Sequence, residues 1–103
     1  MAYLLIRYNL KDNVSPEDFE TWVRDTDHPT MRALHRVKSF ETFRANGLLL
    51  GEGEPSQGYF EIFEIDDLAA FTAEDMPGDT VQTIMAQFMG FADNPEFTIA
   101  DKL

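Results

Sequence analysis

The chain has 103 residues, 44% of them apolar and nine of them phenylalanine, so one domain with one hydrophobic core is expected over residues 1–103. A formal net charge of −11 with a pI near 4.3 argues against nucleic acid or an anionic membrane surface as partner. With no cysteine, disulfides, thiolate metal ligands and cysteine nucleophiles are excluded.

In chain order, the first segment is "AYLLIRYNL", whose aliphatic and aromatic content predicts a strand. The apolar run that opens the chain is too short for a membrane span or a signal-peptide core, and Arg7 interrupts it, so a soluble cytoplasmic protein is expected. Leu4, Ile6 and Tyr8 fall on one face of this strand and Tyr3, Leu5 and Arg7 on the other. After the turn "KDNV", Ser15 at an N-cap, Pro16 in the first turn and Asp18 three residues past the cap predict a helix start. Phe19, Trp22 and Val23 give that helix an apolar stripe. Pro29 disfavours helical backbone at His28, so the helix is expected to end near Asp27, with a second short helix from Pro29 that turns Met31 and Leu34 inward.

"VKSFETFRA" reads as the second strand, closed by Asn46-Gly47. The triplet Leu48–Leu50 fits either a short strand or a loop packed inward, and "GEGEPSQG" reads as a flexible loop with the potential of a lid. Its two glutamates and lack of lysine speak against a phosphate cradle. "YFEIFEI" alternates as a third strand. A short helix over "DDLAAFTAED" then breaks at Met76-Pro77-Gly78. A longer helix, capped by Asp79 or Thr80, presents Val81, Ile84, Met85, Phe88 and Met89 as core. Asn94-Pro95 ends it, and "EFTIADKL" supplies the last strand.

The order β-α-β-β-α-β predicts an α+β fold of the ferredoxin-like kind, one antiparallel sheet with the helices on one face. The other face is expected to carry Tyr3, Leu5, Tyr59 and Phe63 with Arg7 and Glu61 among them. That mixture is too apolar for water and too polar for plain core, so a second copy packed sheet to sheet around a cavity is expected, making a homodimer.

Five of the eight basic residues (Arg24, Arg32, Arg36, Lys38, Arg44) lie between Arg24 and Arg44 with only three acids. They form either a solvated face or a local positive lobe that steers a small anion.

The stretch "SPEDFETWVRDTDHPTMRALHRVKSFETFRA" resembles the REDY-like proteins of prodigiosin-type and bis-indole pigment pathways, within the dimeric α+β barrel superfamily. The resemblance covers roughly the N-terminal half; the rest agrees in element order. It implies a cofactor-free homodimer that promotes condensation or cyclisation of an aromatic, nitrogen-containing intermediate. Two alternatives remain, a cofactor-independent aromatic monooxygenase and a non-catalytic binder of a pathway intermediate.

His28 is the leading candidate for chemistry, because an imidazole accepts and returns a proton near neutral pH. Its plainer reading is a junction residue that caps the backbone. His35 reads as a surface residue, and no histidine spacing suggests a metal. Arg7 and Glu61 are charges set among apolar neighbours in strands. They read either as an interface ion pair or as an anion binder and an acid–base group with a raised pKa. Arg24 is a second candidate for holding developing negative charge. Trp22, Tyr59, Tyr3 and Phe63 are candidates to line an aromatic pocket.

Overall fold

The computed structural model describes residues 1–103. Strand β1, Ala2–Leu10, is central because its neighbours pair with it on both edges. Strand β3, Tyr59–Ile65, lies on one side and β4, Ala92–Ala100, on the other, with β2, Val37–Arg44, outside β3. Every pairing is antiparallel, in the order β2-β3-β1-β4. The helices pack on one face, as the element order predicts.

Ser15 caps the first helix, its Oγ accepting the Asp18 N–H at 3.3 Å, and α1 runs over Pro16–Trp22. The helix does not end near Asp27. It passes through a π-helical turn, Val23–Asp27, into α2, His28–Arg32, and His28 keeps helical backbone angles (φ −59°, ψ −51°). A proline ring in a regular α-helix meets the carbonyl four residues back, here that of Asp25. The wide turn relieves this contact, because the His28 N–H reaches back five residues to the Val23 carbonyl. It also keeps residues spaced by four in line, so Phe19, Val23, Asp27 and Met31 all turn inward and are buried.

The second helical region repeats the device. α3, Leu68–Ala70, starts where Asp67 accepts the Ala70 N–H, and a second π-helical turn follows over Phe71–Asp75. α4, Asp79–Phe91, begins after Gly78, and neither Asp79 nor Thr80 caps it. Its end lies at Phe91 rather than at Asn94-Pro95. Strand β4 starts at once with Ala92, and Asn94 takes up a left-handed backbone (φ 51°) next to the register shift opposite Arg7 to Asn9. Met89, expected in the core, is 41% exposed. Leu48–Leu50 pack against nothing inward, and Leu49 is 98% exposed. The loop that follows turns through Gly51 and Gly53 at positive φ. Its far end is tied to β1 by Asn9, which accepts the Gly58 N–H and donates to the Ser56 carbonyl.

Strand register overturns one expectation about faces. Ile6 is opposite Glu61 and Tyr8 opposite Tyr59. Tyr59, Glu61, Phe63 and Ile65 therefore share the helix-covered face with Ile6 and Tyr8, not the bare face with Tyr3, Leu5 and Arg7. The bare face instead takes Phe60, Ile62 and Glu64 from β3, and Phe43 stacks on Phe60 at 4.9 Å.

The core between sheet and helices is dominated by aromatic rings. Phe19, fully buried, meets Tyr59 edge-on at 5.1 Å and Phe91 at 5.5 Å. Truncating it leaves a hole that no flexible neighbour fills. Phe19→Ala is expected to cost about 3–5 kcal/mol, read from the shift of the urea midpoint.

Candidate functional site

Two of the concavities on the helix side of the sheet carry titratable side chains from the strands, and these two share no lining residue. The inner one is an apolar cavity of about 60 Å³ between β1, β3 and the two helical regions. Eleven of its thirteen lining residues are hydrophobic; the other two are Asp27 and Glu61. Both acids are almost wholly buried, with 3% and 2% of their surface exposed.

Each acid reaches the cavity for a local reason. Glu61 alternates with Tyr59 and Phe63 along β3, so it faces the helices as they do. Asp27 takes an inward position on the stripe of α1 and α2 that an apolar side chain would ordinarily fill. The Tyr8 hydroxyl donates to Glu61 Oε2. Burial pushes the Glu61 carboxyl up to about 8; the Tyr8 hydrogen bond opposes the shift and the nearby Asp27 adds to it. Burial likewise raises Asp27 to about 7, opposed only by the charge of Arg32. Tyr8 is pushed far up by burial and by Glu61, so it stays a hydrogen-bond donor throughout the ordinary pH range. A protein that keeps two carboxyls close to half-protonated in an apolar cavity holds an acid and a base where neither is screened by water.

The outer concavity is an open polar cleft of about 250 Å³, lined by Glu20, Arg24, His28, Thr42, Arg44 and Tyr59 over Phe19 and Val23. Here His28 and Arg24 meet Tyr59, which reaches the cleft from the helix-covered face rather than from the bare face on which it was expected. His28 Nε2 lies 2.8 Å from Thr42 Oγ1, and its ring packs edge-on against Phe40. Burial, then Arg32, pulls its pKa down, while Glu41 opposes them, so the imidazole is a proton acceptor near neutrality. Glu20 is the hub of the cleft. It accepts from Tyr59 at 2.7 Å and from Arg44 at 2.7 and 2.8 Å, with Arg24 at 4.0 Å. The Tyr59 hydrogen bond is the main influence holding the Glu20 pKa down.

Those contacts also decide what the basic segment is. Arg24 and Arg44 face Glu20, Arg32 pairs with Glu41 at 3.2 Å, and Arg36 pairs with Asp75 and Glu74. Lys38 instead donates to the His35 carbonyl at 3.2 Å, so four of the five basic residues face acids and the cluster is not a free positive lobe.

Other candidates lie elsewhere. Arg7 projects from the bare face and pairs with Glu96 at 2.9 Å, so the Arg7–Glu61 ion pair does not form; the sheet separates them. Tyr3 shares that bare face. Trp22 donates its indole N–H to Gln87 Oε1 at 2.8 Å and lines neither concavity. Phe63 lines the inner cavity and stacks on Phe40 at 3.8 Å. His35 is exposed, and no group of three or more histidine, aspartate and glutamate side chains is gathered to hold a metal ion. Tyr8 and Asp27 are the residues that sequence reasoning missed as members of a site. A signal was present for Asp27, since it falls four residues from both Val23 and Met31 on an otherwise apolar stripe.

No helix is long and apolar enough to cross a membrane. No curated protein matches the chain. Among solved structures, it is similar to HapK from Hahella chejuensis, at 29% identity and a TM-score of 0.81 over 100% of this chain and 93% of that one. A dimeric ferredoxin-like protein of unknown function from Thermobifida fusca shares the fold, at 13% identity and a TM-score of 0.74 over 98% and 90%. So does SnoaB, a cofactor-independent oxygenase from Streptomyces nogalater, at 13% identity and 0.73 over 98% and 91%. The family model of the REDY-like protein HapK matches residues 2–103. With its four-stranded antiparallel sheet and helices on one face, the chain belongs to the REDY-like HapK family.

Proposed function

We propose that the protein promotes condensation or cyclisation of an aromatic, nitrogen-containing intermediate of a prodigiosin-like or bis-indole pathway, by proton transfer and without a cofactor. The observation that carries this reading is Glu61, a buried carboxyl with a pKa of about 8, hydrogen-bonded by Tyr8 in an apolar cavity. Neutral Glu61 protonates the carbonyl oxygen of the electrophilic partner as the ring carbon bonds to its carbon, and the Glu61 carboxylate takes back the proton that the ring loses. In a condensation the carboxyl then protonates the new hydroxyl, which leaves as water, and recovers the proton that the product sheds, so no net proton is consumed. The apolar lining, Phe63 included, holds the ring and keeps water out, and orientation supplies much of the rate.

In this reading His28 exchanges protons between the open cleft and the interior. Thr42, which it contacts, is the cross-strand partner of Glu61. His28→Ala is expected to lower turnover at least tenfold while the chain stays folded. Full activity in a folded variant would remove His28 from the reaction.

A second copy is the proposed cover for the bare sheet face. Tyr3, Leu5, Phe43, Phe60 and Ile62 make an apolar centre there, and Phe43 and Phe60 are 42% and 38% exposed. Arg7, Glu41, Glu64 and Glu96 surround it, a pattern that suits the core and rim of a protein interface. In such a homodimer Arg7 and Tyr3 belong to the interface and not to the cavity.

The deciding experiment offers paired pyrrole or indole precursors to the protein in air and under nitrogen. Product in excess of protein under nitrogen is the expected result. Oxygen uptake matched to product would instead make it a monooxygenase, and a plateau at one equivalent would make it a binder.

A further inference from the structure

The inner cavity is not sealed. Leu4, Phe71, Met76, Met85 and Phe97 line both the cavity and an open apolar groove of about 360 Å³, which continues past Ile65, Leu68 and Ile99 to the surface. Groove and cavity form one channel, wide and apolar at the mouth and ending at two carboxyls. Two methionines stand at the narrowing, and their unbranched side chains swing without loss of packing.

At the closed end the two acids are not equivalent. Glu61 has a protein partner in Tyr8. For Asp27, burial and the Arg32 charge are the only influences on the carboxyl. The side chain is 97% buried and lines the cavity, and no fully enclosed polar side-chain atom of the protein lacks a partner, so its oxygens stay open to the cavity space. The α4 side chains that line the cavity with it, Val81, Ile84 and Phe88, offer no hydrogen bond, so a donor that occupies the cavity meets Asp27 without competition from the walls.

We propose that Asp27 and Glu61 together form a two-carboxyl recognition site for the protonated nitrogen of a flat aromatic base, one that enters along the groove with its nitrogen leading, carries at least two N–H donors there and leaves its ring against the apolar walls. One N–H serves Asp27 and a second serves the Glu61 oxygen that Tyr8 leaves free. The apolar walls select against a hydrated or branched molecule, and the carboxyls select against an anion. This deepens the proposed function by naming the charge type of its substrate, and it rests on that reading for the identity of the site alone.

The titratable groups that face the pair are few. Arg32 comes from the helix that follows Asp27 and Tyr8 from the sheet, while the α4 residues that line the cavity contribute none. At pH 6 the pair is largely protonated, and at pH 8 it holds between one and two negative charges, given values of about 7 and 8.

Benzamidine is a suitable probe, with toluene and benzoate as neutral and anionic controls, all followed by calorimetry and by shifts of the aromatic side-chain resonances. Saturable benzamidine binding that tightens roughly tenfold from pH 6 to pH 8 is expected, with no benzoate binding. Asp27→Asn should weaken benzamidine at least tenfold and leave toluene unchanged, which also shows that the cavity persists in the variant. Equal affinity for benzamidine and toluene, binding indifferent to Asp27→Asn, or no saturable binding of benzamidine would each overturn the proposal. Because the readout is affinity, it stands apart from turnover. Benzamidine can bind as expected in a protein that catalyses nothing, and turnover can occur with a neutral substrate.

Discussion

Glu61→Gln is expected to abolish turnover and, at high pH, to make the protein more stable than the native chain. The amide keeps the shape of the side chain, and its oxygen still accepts from Tyr8, but it neither gives nor takes a proton. A loss of 10²–10⁴-fold in rate is the ordinary scale for removing an acid–base group. The stability effect follows from linkage. The Glu61 pKa rises from 4.5 in a free carboxyl to about 8 in the fold. The folded state thus binds the proton more tightly than the unfolded one. Its stabilising contribution is complete below pH 4.5, is lost as pH rises towards 8, and stays lost above that. The full swing is on the order of 3–5 kcal/mol for this group. Urea midpoints measured from pH 4 to pH 9 should fall steeply for the native chain and less for Glu61→Gln, with the curves closest at pH 4. Parallel curves would show that Glu61 is ionised in the fold at neutral pH and would remove it as the acid.

The second large effect concerns the bare face. Ile62→Asp places a carboxylate at the centre of the apolar patch, beside Leu5, its partner across the β1–β3 ladder. In a separate chain the substitution costs only about 1–2 kcal/mol, since the position is half-buried but lies within a strand opposite Glu41. In a dimer packed through that face it leaves an unpaired charge in the interface, at a cost of several kcal/mol. Sedimentation is expected to show a dimer for the native chain and a monomer with an unchanged circular dichroism spectrum for Ile62→Asp. If both sediment alike, the sheet face is not where a second copy binds.

The elements were legible because their signals are local. Alternation in "YFEIFEI", the Ser15-Pro16 start and the break at Met76-Pro77-Gly78 each act within a few residues. The side of the sheet on which Glu61 lies was not local. Strand β3 carries large apolar residues on both alternating sets, Tyr59, Phe63 and Ile65 on one and Phe60 and Ile62 on the other. Its pattern alone therefore leaves the facing open, and only the pairing of Ile6 with Glu61 settles it. Arg24 and His28 share the cleft because both lie on the continuation of α1, whereas Tyr59 joins them from β3, on the sheet face that the strand pattern alone left open. Asp27 was hidden by its neighbour. A helix expected to stop there gives its last residue no face, whereas a helix that continues through a wide turn assigns it to the interior.

That wide turn bears on how the fold can diverge. A π-helical turn is a regular helix with one residue to spare, so it marks a point where chain length changes without moving the strands on either side. Removing one residue between Val23 and Asp27 would restore 3.6 residues per turn and leave the segments before and after it in phase. A single deletion would thus shorten the chain without turning Phe19 or Met31 out of the core. Relatives one residue shorter at this point should keep every strand aligned and the same helix face turned to the sheet.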